Sequence, residues 1–249
     1  MTRPREQAGG LAALIERAGG IAHLLPAIEI EDVPDLEPIL ALIDGLERFD
    51  LAIFVSPSAV AKAMNLIRHR RGDRAWPSGL RIAAIGRGSR RALEQHGFDA
   101  IIAPADHADS EALLGLPALS SVAGRQIVIF RGEGGRELLG DALRERGAEV
   151  VYAECYRRTR PHIDCAPLLA AWAGGTVHAV TVSSGDGLAN LYDMLGTRGQ
   201  QWLRGTPLFV PHARHLDAAE QLGIREVVVA GAADEDVTAA LVAYFAAAK

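Results

Sequence analysis

The sequence predicts an α/β protein made of two parallel-sheet lobes, and three observations carry that prediction. Short apolar runs of strand length alternate with amphipathic stretches of helix length, the pattern of strands joined by crossover helices. Two long segments repeat one order of elements, which marks a duplicated domain and not a short-period array. At 249 residues the chain is long enough for each of two lobes to bury its own core.

Taken in order, the first element is a helix over residues 8–18, preceded only by "MTR", too short for a full strand. "HLLPAIEIEDVP" then reads as an extended strand ended by Pro34, since proline removes a ladder donor. "LAIFV" from Leu51 is the first clear strand, and its helix follows at once. Ser56 can cap that helix, Pro57 suits its first turn, and Val60, Met64 and Ile67 share one face. Further strands are "RIAAI" from Arg81, "QIVIF" from Gln126, the run 149–156, "HAVTV" from His178, "PLFV" from Pro207 and "EVVVA" from Glu226. Leu188, Tyr192 and Leu195 give the helix after "HAVTV" its apolar face. Gly97, Gly147 and Gly223 each follow a helical run, where a C-terminal cap needs positive φ.

The duplication pairs "AIFVSPSAVAKAM" onward with "AVTVSSGDGLANLY" onward: strand, Ser-led turn, helix, strand, short loop, helix ending in Gly, strand, acidic cap, helix. Between the copies lies a further strand–loop–helix–strand unit. If the N-terminal helix belongs with the second copy, the chain crosses once along "HLLPAIEIE" and returns along "EVVYAECYRRTRP". The expected organisation is one Rossmann- or flavodoxin-like lobe from 1–27 and 160–249 and a second from 36–152. Residues 28–35 and 153–159 would form a two-strand linker, with the active-site cleft between the lobes.

Composition narrows the partners. Hydrophobic residues are 49% and charged residues 23%, and no apolar run approaches the roughly 20 residues of a membrane span. The polar "MTRPREQAGG" start lacks the apolar core of a secretory signal, so the cytoplasm is the expected location. A net charge of −5 argues against bulk attraction to nucleic acid or anionic membrane. Any anionic ligand must be met locally. Lysine occurs only at Lys62 and Lys249, so the donors for a carboxylate would be arginines, hydroxyls and backbone N–H groups. Cys155 and Cys165 lack the spacing of a zinc site or a disulfide framework and read as packed thiols. His212 and His215 have no evident third ligand, so no metal site is expected.

In open α/β sheets ligands bind at the carboxyl ends of the strands, where helix N-termini present N–H donors. Those ends are "SPS" at Ser56, "GRGS" at Gly86, "RGEGG" at Arg131, "SSG" at Ser183 and "PHAR" at Pro211. Each turn taken singly reads as a helix cap; the five together, spread over both lobes, read as an anion-binding cleft. "RGEGGRE" begins like a dinucleotide fingerprint, but Glu137 stands where the third glycine belongs. "VSSGDG" is not a nucleophile elbow, which favours Ser183 and Ser184 as turn or carboxylate-binding serines. Tyr156 stands among arginines in "CYRRTRP", in a chain with only 5% aromatic residues.

Together, "TRPREQAGGL", "FVSPSAV", "AAIGRGSRRAL" ending in "HGF", "ADSEALL", "FRGEGGRELLGDALRERGAEV", "CYRRTRP" and "VPHARHLDAAEQLG" resemble the uroporphyrinogen-III synthase family over essentially the whole chain. The resemblance implies a bilobed, cofactor-independent lyase of haem and tetrapyrrole biosynthesis; separately, a monomer is expected. It would close hydroxymethylbilane into uroporphyrinogen III with inversion of the terminal pyrrole ring and loss of water. Tyr156 matches the tyrosine of the family's connector motif, although "CYRRT" carries an extra arginine before Thr159. As a phenol it could protonate the departing hydroxyl; the alternative is a strand tyrosine used for packing. The substrate-binding set implied is Arg3, Ser56, Gly86, Arg131, Gly132, Ser183, Ser184, His212 and Arg214, with Pro211 where many relatives have serine. A non-catalytic two-lobed module for a small anion explains the repeat and the loop donors as well, but gives a proton donor no task.

Overall fold

The computed structural model describes residues 1–72, 76–105 and 109–247. The "DHA" lead-in to the acidic cap at Asp109 lies outside the described residues. The chain divides into two compact units: a terminal unit of Met1–Glu29 with Thr159–Lys249, and a central unit of Ile30–Arg158.

In chain order, α1 (Gly9–Arg17) leads to β1 (Glu29–Glu31), α2 (Glu37–Asp44), β2 (Leu51–Phe54), α3 (Pro57–Arg71), β3 (Arg81–Ala84) and α4 (Arg87–Gln95). Next come β4 (Ile101–Ile102), α5 (Ser110–Leu114), α6 (Pro117–Ser120), β5 (Gln126–Gly132), α7 (Leu138–Glu145) and β6 (Glu149–Thr159). The chain then closes the terminal unit with α8 (Ala166–Ala173), β7 (Val180–Thr181), α9 (Gly185–Arg204), β8 (Leu208–Val210), α10 (Leu216–Gln221), β9 (Val227–Val229) and α11 (Asp234–Ala247).

The central sheet runs β1-β6-β5-β2-β3-β4, and the pairs from β6 through β4 are all parallel. Its strands are apolar on both faces, as a sheet covered on both sides requires. Ala52, Phe54, Ile82, Val128 and Phe130 pack toward Ile39, Ile43, Val60 and Leu93 of α2, α3 and α4. Leu51, Ile53, Ile127 and Ile129 pack toward Leu113, Leu119, Leu139 and Leu143 of α5, α6 and α7. Burial of such side chains at about 1.5–3 kcal/mol each is the main stabilising term.

In the terminal unit β7, β8 and β9 form a parallel sheet. Val180, Leu208 and Val210 face Leu188, Leu191 and Leu195 of α9. On its own side Phe209 meets Tyr244 of α11 edge to face at 5.6 Å. The element order of β2-α3-β3-α4-β4-α5 therefore recurs in β7-α9-β8-α10-β9-α11. Ser56 and Ser184 occupy equivalent caps, accepting from Ala59 N–H at 3.0 Å and Gly187 N–H at 3.1 Å. Gly97, Gly147 and Gly223 end their helices at φ 88, 84 and 75°.

Several strands differ in length from the sequence reading. The long segment before Pro34 narrows to Glu29–Glu31, and "HAVTV" to Val180–Thr181, whereas β6 runs on to Thr159. The start of the chain does pair: Leu25 and Ala27 donate to the carbonyls of Met1 and Thr2 at 3.0 and 2.9 Å, and the Thr2 hydroxyl donates to Thr181 O at 3.0 Å. Met1 and Thr2 are thus held by backbone bonds from Leu25 and Ala27 and by the Thr2 hydroxyl, outside the three-stranded sheet.

Asp50 ties the amino ends of three strands. Its carboxylate accepts from Gln126 N–H and the Arg125 guanidinium, and its carbonyl accepts from Arg81 N–H. The Gln126 N–H, then Arg125, hold its carboxyl below the usual carboxylate range. Such a group adds stability that is present above its unfolded value of about 3.9 and lost as pH falls through the lower folded value. Asp50→Asn is expected to cost about 1 kcal/mol at pH 7. Denaturant midpoints compared from pH 7 downward should show the gap closing below about pH 4; a gap independent of pH would contradict this role.

Candidate active site

From Gln126 opposite Glu149 to Arg131 opposite Glu154, β5 and β6 keep one parallel register; then Gly132 faces Tyr156. Cys155 is the extra residue of a bulge, a device that kinks a strand and re-aims the next side chain. Strict alternation would put Tyr156 on the face of Tyr152 and Glu154. Instead Tyr156 joins Ala153 and Cys155 in the cluster packed by α2, α3 and α4. Tyr152 packs with the other cluster.

Two features hold the re-aimed ring. A Cβ on Gly132 would fall 2.6 Å from Tyr156 Cε2, so only glycine lets the ring lie against β5. The backbone closes the bulge, with Glu133 N–H donating to Tyr156 O at 2.8 Å and Cys155 Sγ donating to Arg131 O at 3.3 Å. Burial pushes the Cys155 thiol up to about 12, so it serves as packing and as this weak donor, in the thiol form.

The Tyr156 side chain is 1% exposed, and its hydroxyl is tied at the carboxyl end of the sheet. The phenol oxygen lies 3.0 Å from Ser56 Oγ at the N-terminus of α3. Arg158 Nη2 donates to it at 3.2 Å, and that guanidinium sits 5.7 Å from the ring centroid. Beyond the bulge, alternation puts Tyr156 and Arg158 on one side and Arg157 on the other. Arg157 is claimed by Glu31 at 2.7 and 3.0 Å, and Arg160 by Asp193 at 3.3 Å. Arg158 is exposed, and among the described residues no carboxylate lies within ion-pair distance of it. The sequence reading does not single it out; parity counted from Tyr156 is the signal that finds it.

The anticipated binding residues fall into three groups. Ser56 and Gly132 join Tyr156 directly. Gly86 caps α4 in the same unit, and the α4 turn lies close to that of α3, since a Cβ on Gly88 would stand 3.2 Å from Pro57 Cγ. In the terminal unit Ser184 caps α9, and Ser183 and, after β8, His212 and Arg214 are exposed. Two arginines are engaged within the protein in place of the open donors anticipated. Arg3 pairs with Asp234 at the start of α11 and donates to Ala232 O at 3.5 Å. Arg131 is 4% exposed, donates to Gly132 O at 3.2 Å and lies 4.5 Å over the Tyr152 ring.

A cavity of about 490 Å³ in the central unit is bordered by Asp35, Glu133 and Glu154 with Tyr152 and apolar side chains. Its carboxylates oppose a polyanion, and neither Tyr156 nor Ser56 lines it. Among the described residues no group of three or more His, Cys, Asp or Glu side chains is arranged to hold a metal ion, and no helix is long and apolar enough to cross a membrane.

The family model described as "Uroporphyrinogen-III synthase HemD" matches residues 10–239. Uroporphyrinogen-III synthase of Escherichia coli (strain K12) is 35% identical over 237 residues, covering 95% of this chain and 96% of the relative. That of Salmonella typhimurium (strain LT2) is 37% identical with the same shares covered. In fold, the chain is similar to a mutant uroporphyrinogen III synthase of the extremely thermophilic bacterium Thermus thermophilus with a TM-score of 0.62, at 20% identity over 100% of this chain and 99% of that one. It is also similar to the enzyme of Helicobacter pylori 26695, with a TM-score of 0.60 at 13% identity over 90% and 92%.

The Gly132 contact makes a direct prediction. Gly132→Ala should destabilise the protein by about 2 kcal/mol, because the ring is walled in and the added methyl has nowhere to go. Denaturant unfolding measures it; an unchanged midpoint would mean that the ring does not press on β5.

Proposed function

Because the chain belongs to the uroporphyrinogen-III synthase family and is thus an enzyme of tetrapyrrole biosynthesis, we propose that it acts as a hydro-lyase on hydroxymethylbilane, with Tyr156 as proton donor. The observation that carries this reading is the placement of the phenol oxygen between Ser56 and Arg158 at the carboxyl end of a parallel sheet.

Hydrogen-bond accounting allows a free phenol proton. The Ser56 oxygen accepts from Ala59 N–H and keeps both a second lone pair and its own O–H, so either hydroxyl of the Ser56–Tyr156 pair can be the donor. Arg158 can only donate. In the arrangement where Ser56 donates, the phenol oxygen accepts from both Ser56 and Arg158, and the tyrosine proton is left for a ligand.

In the reaction the pyrrole nitrogen pushes electrons toward the hydroxymethyl carbon, and the C–O bond breaks. The leaving oxygen takes the Tyr156 proton and departs as water, which leaves an azafulvenium cation on the substrate and a phenolate on the enzyme. The cationic methylene carbon bonds to the substituted α-carbon of the terminal pyrrole to give a spiro pyrrolenine. The bond from that α-carbon to the preceding methylene bridge then breaks, and the freed methylene cation bonds to the ring's other, unsubstituted α-carbon, which inverts the ring and releases that carbon's proton. The proton released as the pyrroles regain aromaticity restores the phenol, so one water is lost in all. The rest of the catalysis is positioning of a flexible polyanion. Backbone N–H groups at the capped turns of Ser56, Gly86 and Ser184, with the exposed Ser183, His212 and Arg214, are the donors proposed for its carboxylates.

The test supplies hydroxymethylbilane and resolves the oxidised products by isomer. Uroporphyrin III should dominate with the intact protein; only the type I isomer, which forms without enzyme, would refute the function. Tyr156→Phe should lower turnover by about 10²-fold with the denaturation midpoint little changed. Full turnover in that variant would assign the ring to packing.

A further inference from the structure

We propose that Arg158 is a positioning residue for Tyr156: its guanidinium donates into the phenol oxygen, directs the phenol proton away from the protein, and holds the phenolate formed when that proton leaves. The inference rests on the reading of Tyr156 as proton donor. It comes from the side chain's own surroundings and from no feature of the substrate.

Three observations converge on it. Arg158 is two residues beyond Tyr156 on the same strand, after the bulge, so alternation brings both side chains to one side. Its Nη2 is 3.2 Å from the phenol oxygen, with the guanidinium carbon 5.7 Å from the ring centroid. Its charge is not neutralised by a carboxylate among the described residues, whereas Arg157 and Arg160 are bound to Glu31 and Asp193. A cation kept free of acid partners beside a phenol is poised for the moment at which that phenol becomes negative. The guanidinium is charged throughout, and a negative charge on the phenol oxygen adds Coulombic attraction to the existing hydrogen bond, so the contact strengthens as the proton departs. An interaction that grows between ground state and transition state raises kcat and leaves substrate binding nearly alone.

An alternative use of an exposed arginine is to grip a substrate carboxylate directly, and the two uses separate in kinetics. The experiment is a double-mutant cycle of Arg158→Met and Tyr156→Phe, with kcat and KM for hydroxymethylbilane measured for each variant. Arg158→Met should lower kcat by about tenfold or more with KM within about twofold. It should have no further effect in the Tyr156→Phe background, because the oxygen it serves is then missing. Arg158→Lys should recover part of kcat, and Arg157→Met should leave it unchanged. The side chain is exposed, so the denaturation midpoint of Arg158→Met should stay close to that of the parent.

A raised KM with unaltered kcat, an equal loss in both backgrounds, or no loss at all would overturn the positioning role. These failures are distinct from failure of the Tyr156 reading, which is full turnover in Tyr156→Phe alone.

Discussion

A shift of one residue in the pairing of β5 with β6 decides which face of the central sheet Tyr156 and Arg158 occupy. Up to Arg131 and Glu154 the strands keep step; at Gly132 and Tyr156 they do not. Because side chains in a strand alternate with a period of two, one inserted residue exchanges the faces of everything after it. Tyr156 is carried to the α3 side, Arg158 follows it, and Arg157 is sent the other way to Glu31. Gly132 makes room for the ring, and Ser56, already fixed as the helix cap, supplies the partner at its tip.

This dependence explains which parts of the molecule are legible in the sequence. The strand–helix order, the serine caps and the glycine C-caps follow from local rules, because each is set by residues within one or two turns of it. Ser56 and Ser184 therefore appear as caps in both the sequence and the structure. Strand pairing is different, since Gly132 and Tyr156 are opposed only through the three-dimensional register. Nothing in "CYRRT" announces the bulge, so Arg158 does not stand out there, although counting parity from Tyr156 raises it. Arg131 fails as an open loop donor for a similar reason: its partner, the ring of Tyr152, lies on the neighbouring strand. The shortness of β1 and β7 is hidden as well, because apolar runs mark burial, and burial extends beyond the hydrogen-bonded ladder.

Charge follows the same economy. The protein is net negative, yet the substrate proposed for it is rich in carboxylates. Many of its arginines are tied to acids or carbonyls: Arg3 to Asp234, Arg71 to Glu47 and Ile43 O, Arg70 to Asp44. Such pairs on the surface contribute little to stability, but they remove cations from general use. Among the donors that stay open are the capped helix N-termini in each unit, the exposed Arg214, and Arg158 beside the phenol. A few directed donors discriminate one folded conformation of a polyanion from another better than a diffuse positive field, which would attract it in any conformation.

The central claim is that the phenol of Tyr156 meets the oxygen that leaves. The most direct measurement is a crystal structure of the protein with a bilane analogue that keeps the terminal hydroxymethyl oxygen but cannot ionise at that carbon. That oxygen is expected within about 3 Å of the Tyr156 hydroxyl, with Ser56 and Arg158 still on the phenol's other side. A bound analogue whose terminal carbon lies well out of reach of a Tyr156 ring still enclosed against Gly132 would contradict it.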